Sequence, residues 1–171
     1  DSKLVTELLH CVGDIERISD HALNIAEAAK EVHDKGITFS DKAKSDLEVI
    51  TKATNEILSL AVDVLSDQDL EKAAFVEPLE QVIDRLKRKI KASHIERLKE
   101  GHCTVEYGFV LSDILTNFER ISDHCSNIAI CVIDSHSDNM NMHAAAKKIK
   151  KDKEHFVSQY YEYAEKYAFK D

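Results

Sequence analysis

Residues 14–27 read DIERISDHALNIAE, and residues 117–130 repeat this stretch as NFERISDHCSNIAI. Nine of the fourteen positions are identical, at a constant offset of 103 residues. In both copies the apolar residues recur at steps of three and four, as they do along one face of an α-helix. A duplicated helical segment indicates a pseudo-symmetric helical bundle in which the two copies have the same role.

Helical periodicity continues through the rest of the 171-residue chain, which contains only four glycines and one proline. So few helix-breaking residues favour long helices over strands and tight turns. Gly36 and Gly101 are suited to ending helices, and Ser40 is suited to capping the start of one. We predict an all-α protein with no strand and five helices. The first runs from about Lys3 to Lys35, the second from after Ser40 to about Leu65, and the third from after the polar break at 66–69 to about Lys99. The fourth runs from about Thr104 to Asp134, and the fifth from about Met142 to Ala168.

Three of these helices have recognisable apolar faces, which we expect to be buried in the bundle. The face of the fourth helix consists of Leu111, Ile114, Phe118, Ile121, Cys125, Ile128 and Val132. The matching face of the first helix consists of Leu8, Cys11, Ile15, Ile18, Ala22, Ile25 and Ala29. The fifth helix has an aromatic stripe of Phe156, Tyr160, Tyr163 and Tyr167, which we interpret as core packing.

Composition excludes several classes of function. A formal net charge of −9 disfavours binding to the phosphates of nucleic acids and suits a metal cation or a basic partner. The four cysteines form no CxxC pair, so a structural zinc site is disfavoured and reduced, cytosolic thiols are expected. No signal peptide or membrane-spanning segment is visible.

No glycine-rich phosphate loop or nucleophile–base pair points to an enzyme. Because the chain starts at Asp1, we expect it to be part of a longer protein.

Pairs of carboxylates at a spacing of four residues are the main candidate site. They are Glu16 and Asp20, Glu119 and Asp123, and Glu80 and Asp84, the last preceded by Glu77. Such pairs lie one helical turn apart and repel each other by roughly 0.2–0.5 kcal/mol, which a bound cation would reverse. If the third and fourth helices pack antiparallel, two pairs face each other and can chelate divalent or ferric ions.

An alternative is that these acids are solvated or paired with Arg17, Arg120 or Lys87. The chain would then be a structural or docking bundle that needs no metal. The histidines that follow the second acid, His21 and His124, are expected to pack or to form hydrogen bonds rather than to bind a metal.

The duplicated blocks, together with VEPLEQVIDRL at 76–86 and HIERLKEGHCTVEYG at 94–108, resemble PhoU-like domains. They look most like the PhoU-like domains fused behind the membrane part of bacterial sodium/phosphate cotransporters. The resemblance is close over residues 1–135. It implies two three-helix repeats, of which residues 1–36 would be the last helix of a truncated first repeat, residues 40–135 a complete second repeat, and residues 141–169 a C-terminal helix.

The resemblance also implies a function. The family's E(D)xxxD motifs hold iron or zinc clusters in some members, and they match the three carboxylate pairs named above. The domain would regulate phosphate uptake at the cytoplasmic side of a bacterial plasma membrane, joined to the transmembrane transporter region of the same polypeptide. Because truncation leaves part of the first helix's apolar face uncovered, we expect either the fifth helix or a second chain to cover it, and we expect a homodimer.

Overall fold

A computed structural model describes residues 2–136 and 153–169 of the chain. Five helices occupy these ranges: α1 (Ser2–Asp34), α2 (Asp41–Asp67), α3 (Leu70–Lys99), α4 (Val105–Ser135) and α5 (Lys153–Lys166). The described ranges contain no strand, so the predicted all-helical class is confirmed. The predicted start of the last helix, at residues 142–152, lies outside the described residues.

Local sequence signals set the helix ends. Gly36 and Gly101 both adopt positive φ values, 63° and 74°, as expected for glycines that follow the end of a helix. The hydroxyl of Ser40 accepts a hydrogen bond of 3.3 Å from the backbone N–H three residues further along, which confirms the predicted cap of α2. Asp69 and Thr104 cap α3 and α4 in the same manner.

Helices α2, α3 and α4 pack against one another as a three-helix bundle, while α1 packs on α4 and α5 packs on α3. All seven residues of the predicted α4 face are buried. Helix α4 also buries Leu115, Ser122 and Ala129 on a second side. It is therefore the central helix, because it has neighbours on both sides.

The predicted buried face of α1 is wrong at three positions. Ile15 is 43% exposed, and Ala22 and Ala29 are exposed as well. The side chain of Leu8, the first residue of that predicted face, lies outside the described part of the chain. The reason for the error is that α1 has one main neighbour, α4, and turns only one side of its surface toward it.

Three predicted residues, Cys11, Ile18 and Ile25, do lie on the side of α1 that faces α4. The other positions on this side come one residue earlier than predicted. Cys11 and Ala28 are buried, and Ile18 and Ile25 are partly buried against the core. Asp14 and His21 lie between these apolar residues on the same side of α1, and the two copies of the duplicated segment meet there.

The duplicated segments pack antiparallel with reciprocal contacts. His21 Nδ1 lies 2.8 Å from Asn117 Oδ1, and His124 Nδ1 lies 2.8 Å from Asp14 Oδ1. Asp14 and Asn117 are equivalent in the repeat, as are the two histidines. The two imidazole rings stack with their centroids 5.7 Å apart. The two copies are therefore related by a local two-fold arrangement, and the prediction that the histidines pack and form hydrogen bonds is confirmed.

Helix α5 attaches through its aromatic stripe, as predicted. Tyr167 is buried and donates a hydrogen bond to Glu56 of α2, which Lys166 also contacts at 2.6 Å. Tyr160 lies 3.3 Å from the guanidinium of Arg85 on α3. Because α5 packs on α3, it does not cover the exposed side of α1. None of the helices in the described residues is both long and apolar enough to cross a bilayer.

Candidate functional site: carboxylates between α3 and α4

Helices α3 and α4 are antiparallel, as the sequence predicted, and their carboxylates face each other. The hydroxyl of Ser126 on α4 donates a hydrogen bond of 2.6 Å to Glu77 on α3. Ten residues further along α3, Lys87 forms an ion pair with Glu119, seven residues earlier on α4. This register places Glu80 opposite Asp123.

A pocket of about 430 Å³ opens between the two helices at this level. It is lined by Glu77, Glu80, Gln81, Arg120, Asp123, His124, Ser126, Asn127 and Ile130. We call it the acidic pocket. Its acids come from both helices, so a ligand bound there would contact α3 and α4 together.

Glu80 has the most perturbed carboxyl group in the acidic pocket. Burial raises its pKa from 4.5 to about 7, and the negative charges of Glu77 and Asp123 act in the same direction. The amide of Gln81 donates a hydrogen bond of 2.8 Å to Glu80 and opposes this shift only in part. A carboxyl group resists ionisation when it is buried and when other negative charges lie beside it.

Asp123 has a raised pKa for the same two reasons. Burial is the larger cause, and repulsion from Glu119 on the preceding turn is the second. Arg120, 3.5 Å from the carboxylate, and His124 lower the pKa and offset part of this effect. The acidic pocket therefore favours either protons or an added cation.

The acids one turn further along are compensated by basic side chains. Arg88 Nη1 lies 2.6 Å from Asp84, and Lys87 reaches across from α3 to pair with Glu119 on α4. Asp84 and Glu119 do not line the acidic pocket. Five of the seven predicted site residues thus lie along one α3–α4 boundary, with only three of them in the pocket itself.

The remaining predicted pair, Glu16 and Asp20, is exposed on α1 and does not line the acidic pocket. The duplication placed these acids at positions equivalent to Glu119 and Asp123, but α1 has no counterpart of α3 packed beside them in the described residues. The family resemblance had indicated this, since residues 1–36 match only the last helix of a first repeat and leave the pair without a facing helix.

Two polar contacts of the site were not predicted. Ser126 binds Glu77 across the helix boundary, and Arg88 pairs with Asp84 on the same helix. The second could have been found from the spacing of four residues, which places opposite charges side by side. The first depends on the register between α3 and α4.

The donor chemistry of the acidic pocket fits a hard cation, because Glu77, Glu80 and Asp123 supply carboxylate oxygens and Ser126 and Asn127 supply neutral ones. Their present positions do not yet form a coordination sphere. Within residues 2–136 and 153–169, no three Asp, Glu, His or Cys side chains are placed to share one ion. A cation could be held there only if side chains moved from these positions.

Comparison with known proteins gives a family match. The family model described as PhoU domain matches residues 1–29 and 47–132. No solved structure matches the chain significantly.

Several curated proteins are similar to this chain. A phosphate-specific transport system accessory protein PhoU homolog 1 of Thermotoga maritima is 28% identical over 131 residues, which cover 77% of this chain and 56% of that protein. A PhoU homolog of the same description from Deinococcus radiodurans is 23% identical over 75% of this chain and 59% of its own length. One from Pseudomonas aeruginosa is 25% identical over 78% and 54%. The chain spans about half the length of the curated relatives it matches.

Proposed function

This chain belongs to the PhoU domain family, and from that membership we propose that it is a non-catalytic regulatory domain of a phosphate transport system that binds cations in its acidic pocket. The relatives are described as accessory proteins of phosphate-specific transport, which supports the regulatory part of the proposal. The family match covers all of the residues that line the pocket.

The observation that carries the cation-binding part is the electrostatic state of Glu80. Its raised pKa reflects burial beside Glu77 and Asp123, with too little positive charge to compensate them. A divalent or ferric ion such as zinc or iron would relieve this repulsion. When bound, it would neutralise the carboxylates and tie α3 to α4.

We assign the direct contacts to Glu80 and Asp123, with Glu77 beside them. Asp84 and Glu119 would join as further ligands once they leave Arg88 and Lys87. This arrangement uses two of the three helices of the bundle, α3 and α4.

Glu16 and Asp20 form the equivalent pair on α1. In our proposal they become a second cation site only where further helices pack on the exposed side of α1, because α1 alone supplies two acids and no facing pair. Residues 1–36 would then be the last helix of one repeat, and residues 40–135 would be the other repeat.

For the intact protein, we propose that the domain acts on a sodium-dependent phosphate transporter region of the same polypeptide, at the cytoplasmic side of the plasma membrane of a bacterium. The support is the likeness of the quoted sequence blocks to PhoU-like domains that are fused to such transporters. The coding sequence upstream of Asp1 tests this proposal. A multi-span hydrophobic region there would support it, and a free-standing PhoU reading frame would overturn it.

Association of two chains is also part of the proposal. The exposed side of α1 presents Val5, Leu9, Val12, Ile15 and Leu23 to solvent. Val5, Leu9 and Val12 lie about one turn apart on this side, and exposed apolar residues grouped in this way favour a partner surface in water. Light scattering at several protein concentrations is expected to show a dimer, and a monomer at every concentration would contradict it.

The cation proposal is tested by titrating the metal-free protein with Zn²⁺ or Mn²⁺ in a calorimeter and by metal analysis of the purified protein. A Glu80→Gln/Asp123→Asn variant is expected to lose binding, because it removes the two pocket carboxylates with raised pKa values. Glu48→Gln, at an exposed position of α2, is the matched control and is expected to bind as the unmodified chain does. Equal binding by all three proteins would overturn the assignment.

A second function is favoured by a specific observation, namely the ion pairs of Glu119, Asp84 and Asp123 with Lys87, Arg88 and Arg120. These pairs suit a docking or structural bundle that holds no metal. Under this alternative, the titration shows no cation binding by the unmodified protein, and added cations leave its thermal unfolding midpoint unchanged.

A further inference from the structure

We propose that the ammonium group of Lys87 is an internal counter-cation of the acidic site, which holds Glu119 in the absence of metal and is displaced when the carboxylates take up an external cation. The inference rests on the proposed cation-binding function and adds a residue that regulates it. According to this inference, Lys87 lowers the affinity of the acidic site for a metal ion.

The first step is the position of Lys87. It follows Asp84 by three residues, so its side chain leaves α3 on the same side as the acids Glu80 and Asp84. Instead of pairing along its own helix, it reaches α4 and binds Glu119. The pair is only 13% exposed at Lys87 and 24% exposed at Glu119.

The second step is a comparison with an ordinary lysine–glutamate pair of this chain. Lys52 and Glu48 lie on one helix, and their side chains are 65% and 66% exposed. Water screens such a pair, whereas the Lys87 pair is largely removed from water and joins two helices. The Lys87 pair is therefore the stronger electrostatic contact and affects how α3 and α4 are held together.

The third step is the solvent exposure of the other basic residues at the site. Arg88 and Arg120 each pair with an acid of their own helix, and their side chains are 67% and 57% exposed. They can turn into solvent at little cost. Lys87 must instead be removed from a partly buried contact before Glu119 can bind a metal.

The consequence is competition for one carboxylate. A divalent cation coordinated by Glu119 would lie next to the Lys87 ammonium, and the two positive charges would repel each other. Lys87 therefore lowers the affinity of the site for the metal. In the metal-free protein, its ammonium group supplies part of the positive charge that a bound metal would bring. Binding at Glu80 and Asp123 alone would be weak, and binding that includes Glu119 would release Lys87.

The first test is an Mn²⁺ titration of the metal-free full chain, of Lys87→Met and of Lys52→Met as the matched control. Lys87→Met is expected to bind Mn²⁺ more tightly by about tenfold or more, since close charge pairs of this kind couple by more than the energy of a tenfold change. Lys52→Met is expected to match the unmodified chain. Circular dichroism confirms that each variant is folded.

The second test needs no variant. The unmodified protein is treated with an amine-acetylating reagent with and without Mn²⁺, and acetylation is measured for each lysine by mass spectrometry. Lys87 is expected to become more reactive with Mn²⁺, because its ammonium leaves Glu119, while Lys52 stays the same.

The outcomes separate the two proposals. Measurable Mn²⁺ binding with equal affinity for the unmodified chain and Lys87→Met, or with unchanged acetylation of Lys87, overturns the counter-cation role and leaves cation binding in place. Weaker binding by Lys87→Met overturns the role as well. Absence of binding in both proteins overturns the proposed function and, with it, this inference.

Discussion

Replacing Glu80 by glutamine is expected to stabilise the protein at pH 8 and to leave its stability at pH 4 nearly unchanged. In the folded protein the pKa of Glu80 is raised from 4.5 to about 7. Below pH 4.5 the side chain is protonated in the folded and unfolded states alike, so it has no pH-dependent effect. Between pH 4.5 and about 7 the unfolded chain releases this proton and the folded chain keeps it, so stability falls as the pH rises.

The size of the effect follows from the same values. One pH unit corresponds to about 1.4 kcal/mol, so the full difference between 4.5 and about 7 gives about 3 kcal/mol at pH 8. Part of the carboxylate still reaches water, and we therefore expect about 2 kcal/mol. Glutamine keeps the size and the hydrogen-bonding ability of the side chain but has no proton to lose.

The assay is urea unfolding at pH 4, 5, 6, 7 and 8, with a chelator present so that no metal contributes. The difference in unfolding free energy between the variant and the unmodified chain is expected to grow between pH 5 and pH 7 and then to level off. Glu48→Gln, at an exposed position, serves as the control and is expected to show no such growth. If the difference in unfolding free energy between Glu80→Gln and the unmodified chain is the same at every pH, the interpretation of Glu80 as a buried carboxyl group beside other negative charges is refuted.

Three further predictions concern contacts outside the acidic pocket. Gly108→Ala is expected to destabilise the fold by about 1–3 kcal/mol in thermal unfolding, because a Cβ at this position would lie 2.5 Å from Nε2 of His94. A second substitution, His94→Ala, removes the imidazole and is expected to restore part of the lost stability. Tyr167→Phe is expected to cost about 1–2 kcal/mol in urea unfolding, because it removes the hydrogen bond to Glu56 that helps to attach α5. In the native protein, a thiol reagent such as dithionitrobenzoate is expected to label one cysteine rapidly, and Cys103→Ser is expected to abolish this phase, since the other three cysteines are buried.

Local sequence was enough to predict where the helices end. Gly36 and Gly101 were expected to end helices, and both take the positive φ that glycine allows. Ser40 was expected to cap α2, and its hydroxyl does so. These features depend on a few neighbouring residues, so the fold of the rest of the chain does not alter them.

The faces of the helices were predicted with unequal success. On α4, which has neighbours on both sides, all seven positions of the predicted apolar face are buried, and that face was confirmed. On α1 the same pattern was misread at Ile15, Ala22 and Ala29, because α4 covers only one side of that helix. Periodicity identifies an apolar stripe, but the number and position of the neighbours decide which part of it is buried.

The sequence by itself determined that this protein is helical, that it has a duplicated segment and that carboxylates recur one turn apart, because all three follow from spacing along the chain. Tertiary structure alone decided which of these acids is buried, which is paired with a basic side chain and which is exposed. Glu80 meets Asp123 in a pocket, Glu119 is held by Lys87, and the equivalent acids of α1 remain in solvent. Charges interact through distances in space, and these distances are set by the antiparallel register of α3 and α4, which neither helix specifies on its own.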